Sequence, residues 1–270
     1  MCMDTDIKTR QTHLLNFSQK VATFLREKQS ERDLGVKKKG SIDIVTEADL
    51  HSEKELIEEI QREFPQDQIL GEETGLLDNT GRFKWILDPL DGTTNYANFL
   101  PLYAISIALE DTTEKEVVAG IVVLPALRET YHAVRGEGAF KDNKPIQVSR
   151  KSDFIDSLFC TGFPYNLNEK LQSLTQIFTH MLSVARGIRR TGSAALDLAW
   201  LAEGRFDGFW EESLKPWDTA AGQILIQEAG GVVTDFAGSP FCLDSPNIVA
   251  GNPEIHQRVL QELQQFVTVY

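Results

Sequence analysis

The sequence predicts an α/β protein in two parts: an N-terminal α+β part over residues 1–150 and a C-terminal α/β part over residues 151–270. Three observations lead there. Two long amphipathic patterns precede apolar stretches separated by polar turns, the arrangement of helices against a mainly antiparallel sheet. From about Ser152 short apolar runs alternate with helical periodicity, as in an α/β layer. A chain of 270 residues, 41% hydrophobic and 25% charged, has ordinary globular composition and can bury a large core.

Leu14, Phe17, Val21 and Leu25 mark one face of an opening helix that runs to about Lys28. The stretch Glu31 to Ser41, with Lys37-Lys38-Lys39-Gly40, has the composition of a solvated loop. Thr46 is placed to N-cap a second helix, with Leu50, Ile57, Ile60 and Phe64 toward the core and Pro65 as its stop. Gln68–Gly71 reads as a short strand running into Glu72-Glu73, and Trp85-Ile86-Leu87 as a buried strand ending on Asp88. Pro89 lacks a backbone donor, so the strand ladder is expected to break there. Ala104–Glu110, Val117–Leu124 and Glu129–Val134 continue the sheet. In the second part the strands are Ser157–Thr161, Gly187–Arg190, Phe206–Trp210, Val232–Thr234 and Ile248–Ala250. Between them lie a helix marked by Leu171, Leu174, Phe178 and Met181, a helix Ser193–Glu203 stopped by Gly204, and a helix Trp217–Ala229 closed by Gly230-Gly231. Asn252-Pro253 caps a last helix carrying Ile255, Val259, Leu263 and Phe266.

The formal net charge is −13, from 40 acidic and 27 basic residues. That balance argues against a broad nucleic-acid-binding face and fits a pocket that attracts anions only once cations fill it. Cys2, Cys160 and Cys242 form no paired spacing, which points to a reducing, cytoplasmic compartment. No run reaches the roughly 18 apolar residues of a membrane span. His13, His51, His132, His180 and His256 are scattered, against a zinc site. The G-x-S-x-G, G-x-x-x-x-G-K-[ST] and G-x-G-x-x-G patterns are absent, so serine hydrolase, P-loop and Rossmann chemistry lack their residues.

What remains is a set of carboxylates at the ends of elements: Asp49, Glu72, Glu73, Asp88, Asp91 and Asp218. Each has a purely structural explanation. Thr46-x-x-Asp49 fits a capping box, Glu72-Glu73 a solvated strand end, Asp88-Pro89 and Asp91-Gly92 ordinary turns, and Asp218 an acid at a positive helix terminus. Together they carry a second meaning, because strand ends and helix starts are where α/β folds gather ligands. Converging carboxylates repel unless cations intervene, and all-oxygen ligation selects Mg²⁺, Mn²⁺ or Ca²⁺.

Several stretches together resemble the inositol monophosphatase family. They are Asp43-Ile-Val-Thr46-x-x-Asp49, Gly71-Glu72-Glu73, Trp85-Ile-Leu-Asp88-Pro-Leu-Asp91-Gly-Thr-Thr-Asn95, Gly192-Ser-Ala-Ala195, Trp217-Asp218-x-Ala-Ala-Gly222 and Ala229-Gly230-Gly231. Arg189–Leu198 and Asp207–Glu211 most resemble bacterial members. The resemblance implies a layered α-β-α-β-α sandwich, as in the inositol monophosphatases and fructose-1,6-bisphosphatases. It implies a homodimer that hydrolyses phosphate monoesters with two or three Mg²⁺ (Mn²⁺ being possible) and is inhibited by Li⁺. Glu72, Asp88 and the Leu90 carbonyl would hold one metal, and Asp88, Asp91 and Asp218 a second. Thr93 would orient water, with Asp49 accepting from its hydroxyl. Leu90, Asp91, Gly92, Thr93 and Asp218 would surround the phosphate, and Gly192, Ser193, Ala194 and Glu211 the alcohol. Glu73 and Asp43 would stand behind the ligands, and Lys38 on a loop near the metals. Relatives with these motifs also act on fructose 1,6-bisphosphate, NADP and 3′-phosphoadenosine phosphates. Glu211, an acceptor for sugar-like hydroxyls, favours a polyol. Some bacterial relatives associate with the transcription machinery, so an accessory binding protein is the alternative of another class.

Overall fold

The computed structural model describes residues 2–31, 34–38, 44–164 and 170–266. Helix α1 (Cys2–Ser30) is followed by a two-residue pairing of β1 (Lys37–Lys38) with β2 (Ile44–Val45), then α2 (Glu47–Glu63). Strands β3 (Gln68–Gly71), β4 (Gly75–Leu77) and β5 (Phe83–Asp91) lead into the short helix α3 (Thr93–Ala97). Then come β6 (Ala104–Asp111), β7 (Glu116–Leu124), β8 (Glu129–Val134), β9 (Ala139–Lys141) and β10 (Lys144–Pro145). The rest alternates: β11 (Leu158–Thr161), α4 (Leu171–Val184), β12 (Gly187–Arg189), α5 (Ala194–Ala202), β13 (Gly208–Glu212) and α6 (Pro216–Glu228). It ends with β14 (Val232–Thr234), β15 (Asn247–Gly251) and α7 (Pro253–Gln264).

An eight-stranded sheet runs β10-β9-β8-β7-β6-β5-β3-β4, and a five-stranded sheet runs β12-β11-β13-β15-β14. In the larger sheet β3 and β5 are parallel and the other pairs antiparallel. In the smaller one β11 is parallel to both β12 and β13. Alternate residues of the large sheet serve different cores, as the two-residue side-chain period requires. Trp85, Leu87, Ile105 and Ile107 pack with Leu14, Leu25 and Leu56 of α1 and α2. Ile86, Ala104 and Ala108 pack on the other face with Leu196, Leu198, Ile224 and Leu225 of α5 and α6. That second cluster also takes in Phe209 and Ala250 of the small sheet. Phe159, Trp210 and Val249 face Ile177, Met181 and Val259 of α4 and α7. The result is a layered α-β-α-β-α sandwich. Its large sheet is covered on both faces, which explains the near-continuous apolar runs of β5 to β7.

Thr46, Ser193 and Asn252 cap α2, α5 and α7 with their side chains. Several expectations need correction. Leu50 is 45% exposed, and Leu56 takes the buried place beside Ile57 and Ile60. Leu171 is likewise exposed at the start of α4. The strand placed at Phe206–Trp210 begins at Gly208, because Phe206 belongs to the turn leading into it. Pro89 does not end β5: the ladder to β6 resumes at Asp91 after a register shift that absorbs the missing donor.

Candidate active site

The site is built where β5 leaves the large sheet. Leu87 is fully buried, and Asp88 follows it with 2% exposure, one oxygen accepting from the Leu90 amide at 3.0 Å. The shift across Pro89-Leu90 brings Asp91 back into the ladder. Gly92 then turns the chain at φ +90°, the left-handed region where a side chain is strained, and α3 starts at Thr93. The Thr93 hydroxyl lies 3.0 Å from Asp49 Oδ1 and 3.1 Å from the Leu90 carbonyl. Donating its single proton to either leaves its oxygen lone pairs free to accept from water.

Asp49 is 1% exposed, and its two oxygens do different work. Oδ2 accepts from the Thr46 amide at 2.8 Å and the Thr46 hydroxyl at 2.6 Å, completing the capping box, while Oδ1 faces Thr93. Burial raises its pKa, against the Thr46 and Thr93 hydrogen bonds. Thr46-x-x-Asp49 is thus a capping box whose second carboxylate oxygen is turned to Thr93. Asp91 ties β5 to α5, since its Oδ2 accepts from Ser193 Oγ and from the Ala195 amide, each at 2.7 Å, at the start of that helix. Asp218, in the first turn of α6, accepts from the Lys215 amide at 2.6 Å.

Oxygens of Asp88, Asp91 and Asp218 all lie within 4.8 Å of one another. Their pKa values are raised: Asp91 to about 6, and Asp88 and Asp218 well above the carboxylate range. Desolvation is the main cause for all three, with mutual repulsion and the charge of Glu72 adding for Asp88 and Asp218. A cluster of hard oxygens held in this state is compatible with divalent cations, which would neutralise it. Glu72, on the turn after β3, acts on Asp88 and Asp218 through its charge and lines the same cavity of about 380 Å³.

Leu90, Gly92 and Thr93 line that cavity from one side, and Gly192, Ser193, Ala194 and Glu211 from the other. Glu211, on β13, is 8% exposed. Burial first, then the charges of Asp197, Asp218 and Asp91, push its pKa well up. None of the described residues donates a hydrogen bond to its carboxylate. Two expected residues do not line this cavity, and a third is not described. Lys38 is exposed on β1 and does not line the cavity. Glu73 lines a separate groove on α2. Asp43 lies outside the described residues.

The structure brings to the cavity residues to which the sequence patterns gave no role. Asp197 lines the cavity with 2% exposure, accepting from Thr191 Oγ1 at 2.8 Å, and burial raises its pKa. Its signal was present: a lone acid in the otherwise apolar helix Ala194–Ala202. Asn95 donates to the carbonyls of Leu102 and Thr191 at 2.6 and 2.8 Å, binding the loop before α5 to α3. Arg190, Lys215 and Trp217 also line the cavity.

The profile described as the inositol monophosphatase family matches residues 7–268. Nus factor SuhB of Escherichia coli is 40% identical over 227 residues, 84% of each chain. The inositol-1-monophosphatase of Rhizobium meliloti is 40% identical over 251 residues, 90% of this chain and 94% of the relative. Among solved structures, the inositol monophosphatase of Anabaena superposes with a TM-score of 0.87 at 36% identity, covering 97% of this chain and 98% of the other.

Proposed function

The chain belongs to the inositol monophosphatase family, and on that premise we propose that it is a Mg²⁺-dependent phosphomonoester hydrolase whose preferred substrate is a myo-inositol phosphate. The observation that carries the substrate is Glu211, a buried carboxylate with no donor among the described residues, in the same cavity as the Asp88–Asp91–Asp218 trio. One end of the cavity suits cations and a phosphate, and the other offers an acceptor to a polyol hydroxyl.

Glu72, Asp88 and the Leu90 carbonyl would hold one Mg²⁺, and Asp88, Asp91 and Asp218 a second. When bound, the cations offset the charge of the phosphate and lower the pKa of water in the site. The protein's own part is positioning. Asp49 orients the Thr93 hydroxyl, whose free lone pairs hold the attacking water. Thr93 is a neutral hydroxyl and a weak base, so it places the water and does not deprotonate it. Asp91, tied to Ser193 and Ala195, fixes the loop that meets the alcohol relative to the end of β5. The reading extends to a cytoplasmic homodimer inhibited by Li⁺. Cys160 and Cys242 are both unpaired, which fits a reducing compartment. Among the described residues no helix is long and apolar enough to cross a membrane.

A phosphate-release panel tests this reading: inositol 1-phosphate, fructose 1,6-bisphosphate, NADP and 3′-phosphoadenosine 5′-phosphate, each with and without Mg²⁺. Metal-dependent release, fastest from inositol 1-phosphate, is expected, and Glu211→Ala should lower kcat/KM for that substrate by about 10–100-fold. Absence of metal-dependent release from every substrate overturns the phosphatase. Preference for a nucleotide overturns the inositol assignment alone. The 40% identity to a relative named as a Nus factor supports a second reading, an accessory role in transcription. Capture of a transcription partner by Asp88→Asn protein, with hydrolysis abolished, would separate that role from catalysis.

A further inference from the structure

Glu53 is 1% exposed on α2, four residues after Asp49 and so on the same face of the helix. Strands β3 and β4 pair Gly71 with Gly75, which leaves Glu72, Glu73 and Thr74 as a three-residue turn. A turn this tight cannot satisfy its own amides, and here all three are satisfied from outside it. The Glu72 amide donates to the Leu87 carbonyl at 3.2 Å, immediately before Asp88. The Glu73 amide donates to Glu53 Oε2 at 3.0 Å, and the Thr74 amide to Glu53 Oε1 at 2.7 Å. The Thr74 hydroxyl donates to Oε1 as well. A Cβ at Gly71 would stand 2.8 Å from the Glu53 carboxylate, so glycine there lets the acid seat against the turn.

We propose that Glu53 is a positioning residue for the metal site, its buried carboxylate fixing the Glu72–Thr74 turn and so setting Glu72 against Asp88. The inference rests on the reading of Glu72 as a metal ligand. One face of α2 then serves the cavity twice, Asp49 through Thr93 and Glu53 through Glu72. Three donors converging on one carboxylate specify the turn's conformation, and an amide in place of that acid would present two N–H groups to donors.

The test is titration of the full-length, metal-free protein with Mn²⁺ alone, free Mn²⁺ being read by electron paramagnetic resonance and Tm measured in parallel. Glu53→Gln should weaken Mn²⁺ binding by about 10–100-fold, the usual effect of losing a partner behind the ligands. Thr74→Val, which keeps the acid and removes one donor, should weaken it in the same direction and keeps the proposal testable if Glu53→Gln does not fold. Glu58→Gln, exposed on the same helix, should bind as the wild type does. Wild-type affinity in both Glu53→Gln and Thr74→Val, even with lowered Tm, overturns the proposal and leaves Glu53 a purely structural acid. A wild type that binds no Mn²⁺ overturns the metal reading and this inference with it.

Discussion

Replacing Asp91 by Asn should stabilise the metal-free protein while abolishing hydrolysis. Both hydrogen bonds that Asp91 receives from α5 fall on one oxygen, Oδ2, so an Asn carbonyl can accept them in the same place. What the substitution removes is charge. The Asp91 carboxyl is moved from 3.8 up to about 6, with desolvation as the first cause. A shift of about two units corresponds to roughly 3 kcal/mol. The sign follows from proton counting: between the unfolded and folded values the native state holds the proton that the unfolded chain has released. The stability difference between Asp91→Asn and wild type is therefore absent near pH 4, grows as the pH rises toward 6, and stays constant above it. At roughly 2–4 °C per kcal/mol for a chain of this size, the variant should melt about 6–12 °C higher at pH 8 in EDTA. Burial lowers the pKa of His132 and His256, which gives an opposite slope below neutrality, but they are common to both proteins and cancel in the difference. Scanning calorimetry with EDTA at pH 4, 5, 6 and 8 measures it. A variant no more stable than wild type at pH 8, or a gap that persists at pH 4, refutes the reasoning. Adding Mg²⁺ should reverse the order by stabilising wild type alone.

Three further outcomes are expected. Thr93→Val removes the hydroxyl that Asp49 orients and should lower kcat by about 100-fold with KM little changed, while Thr93→Ser keeps most of the rate, both read by steady-state phosphate release. In Gly162→Ala the new Cβ would lie 2.1 Å from Glu211 Oε1, so the carboxylate must move. KM for inositol 1-phosphate should rise about 10-fold, while p-nitrophenyl phosphate, which has no polyol, is hydrolysed as before. Arg10→Ala leaves the buried Asp67 carboxylate without its two-point guanidinium contact, at 2.8 and 3.0 Å, and should cost about 3–5 kcal/mol in urea unfolding with kcat unchanged.

The helices, the long strands and the carboxylates Asp88, Asp218 and Asp49 were legible because each is a local pattern. Asp88 closes an apolar run, Asp218 follows a helix-starting Pro, and Asp49 sits three residues after an N-cap. Strands β4, β9 and β10, each of two or three residues, carry no periodicity to read. Leu50 and Leu56 show a finer limit. Both are apolar on α2, and only the line of contact with β5 and α1 decides which is buried. Pro89 broke the expected strand because a missing donor is visible in sequence, whereas the register shift that tolerates it depends on β6. Glu53 reads as one acid among several on α2, since its partners are 20 and 21 residues away.

Asp49 shows how one carboxylate can cap a helix and still present an oxygen to a second partner. A capping carboxylate is held in one rotamer by two donors from Thr46, at 2.8 and 2.6 Å. That same constraint aims its second oxygen at Thr93. A freely rotating acid would spend part of its time elsewhere, and the Thr93 hydroxyl would lose its fixed partner. Asp91 repeats the arrangement at α5, and Asp218 at the start of α6, where each is bound by backbone amides. Helix starts thus supply more than a positive terminus: their unpaired amides grip one oxygen of each acid. The fold can then hold like charges together, because hydrogen bonds offset part of their repulsion.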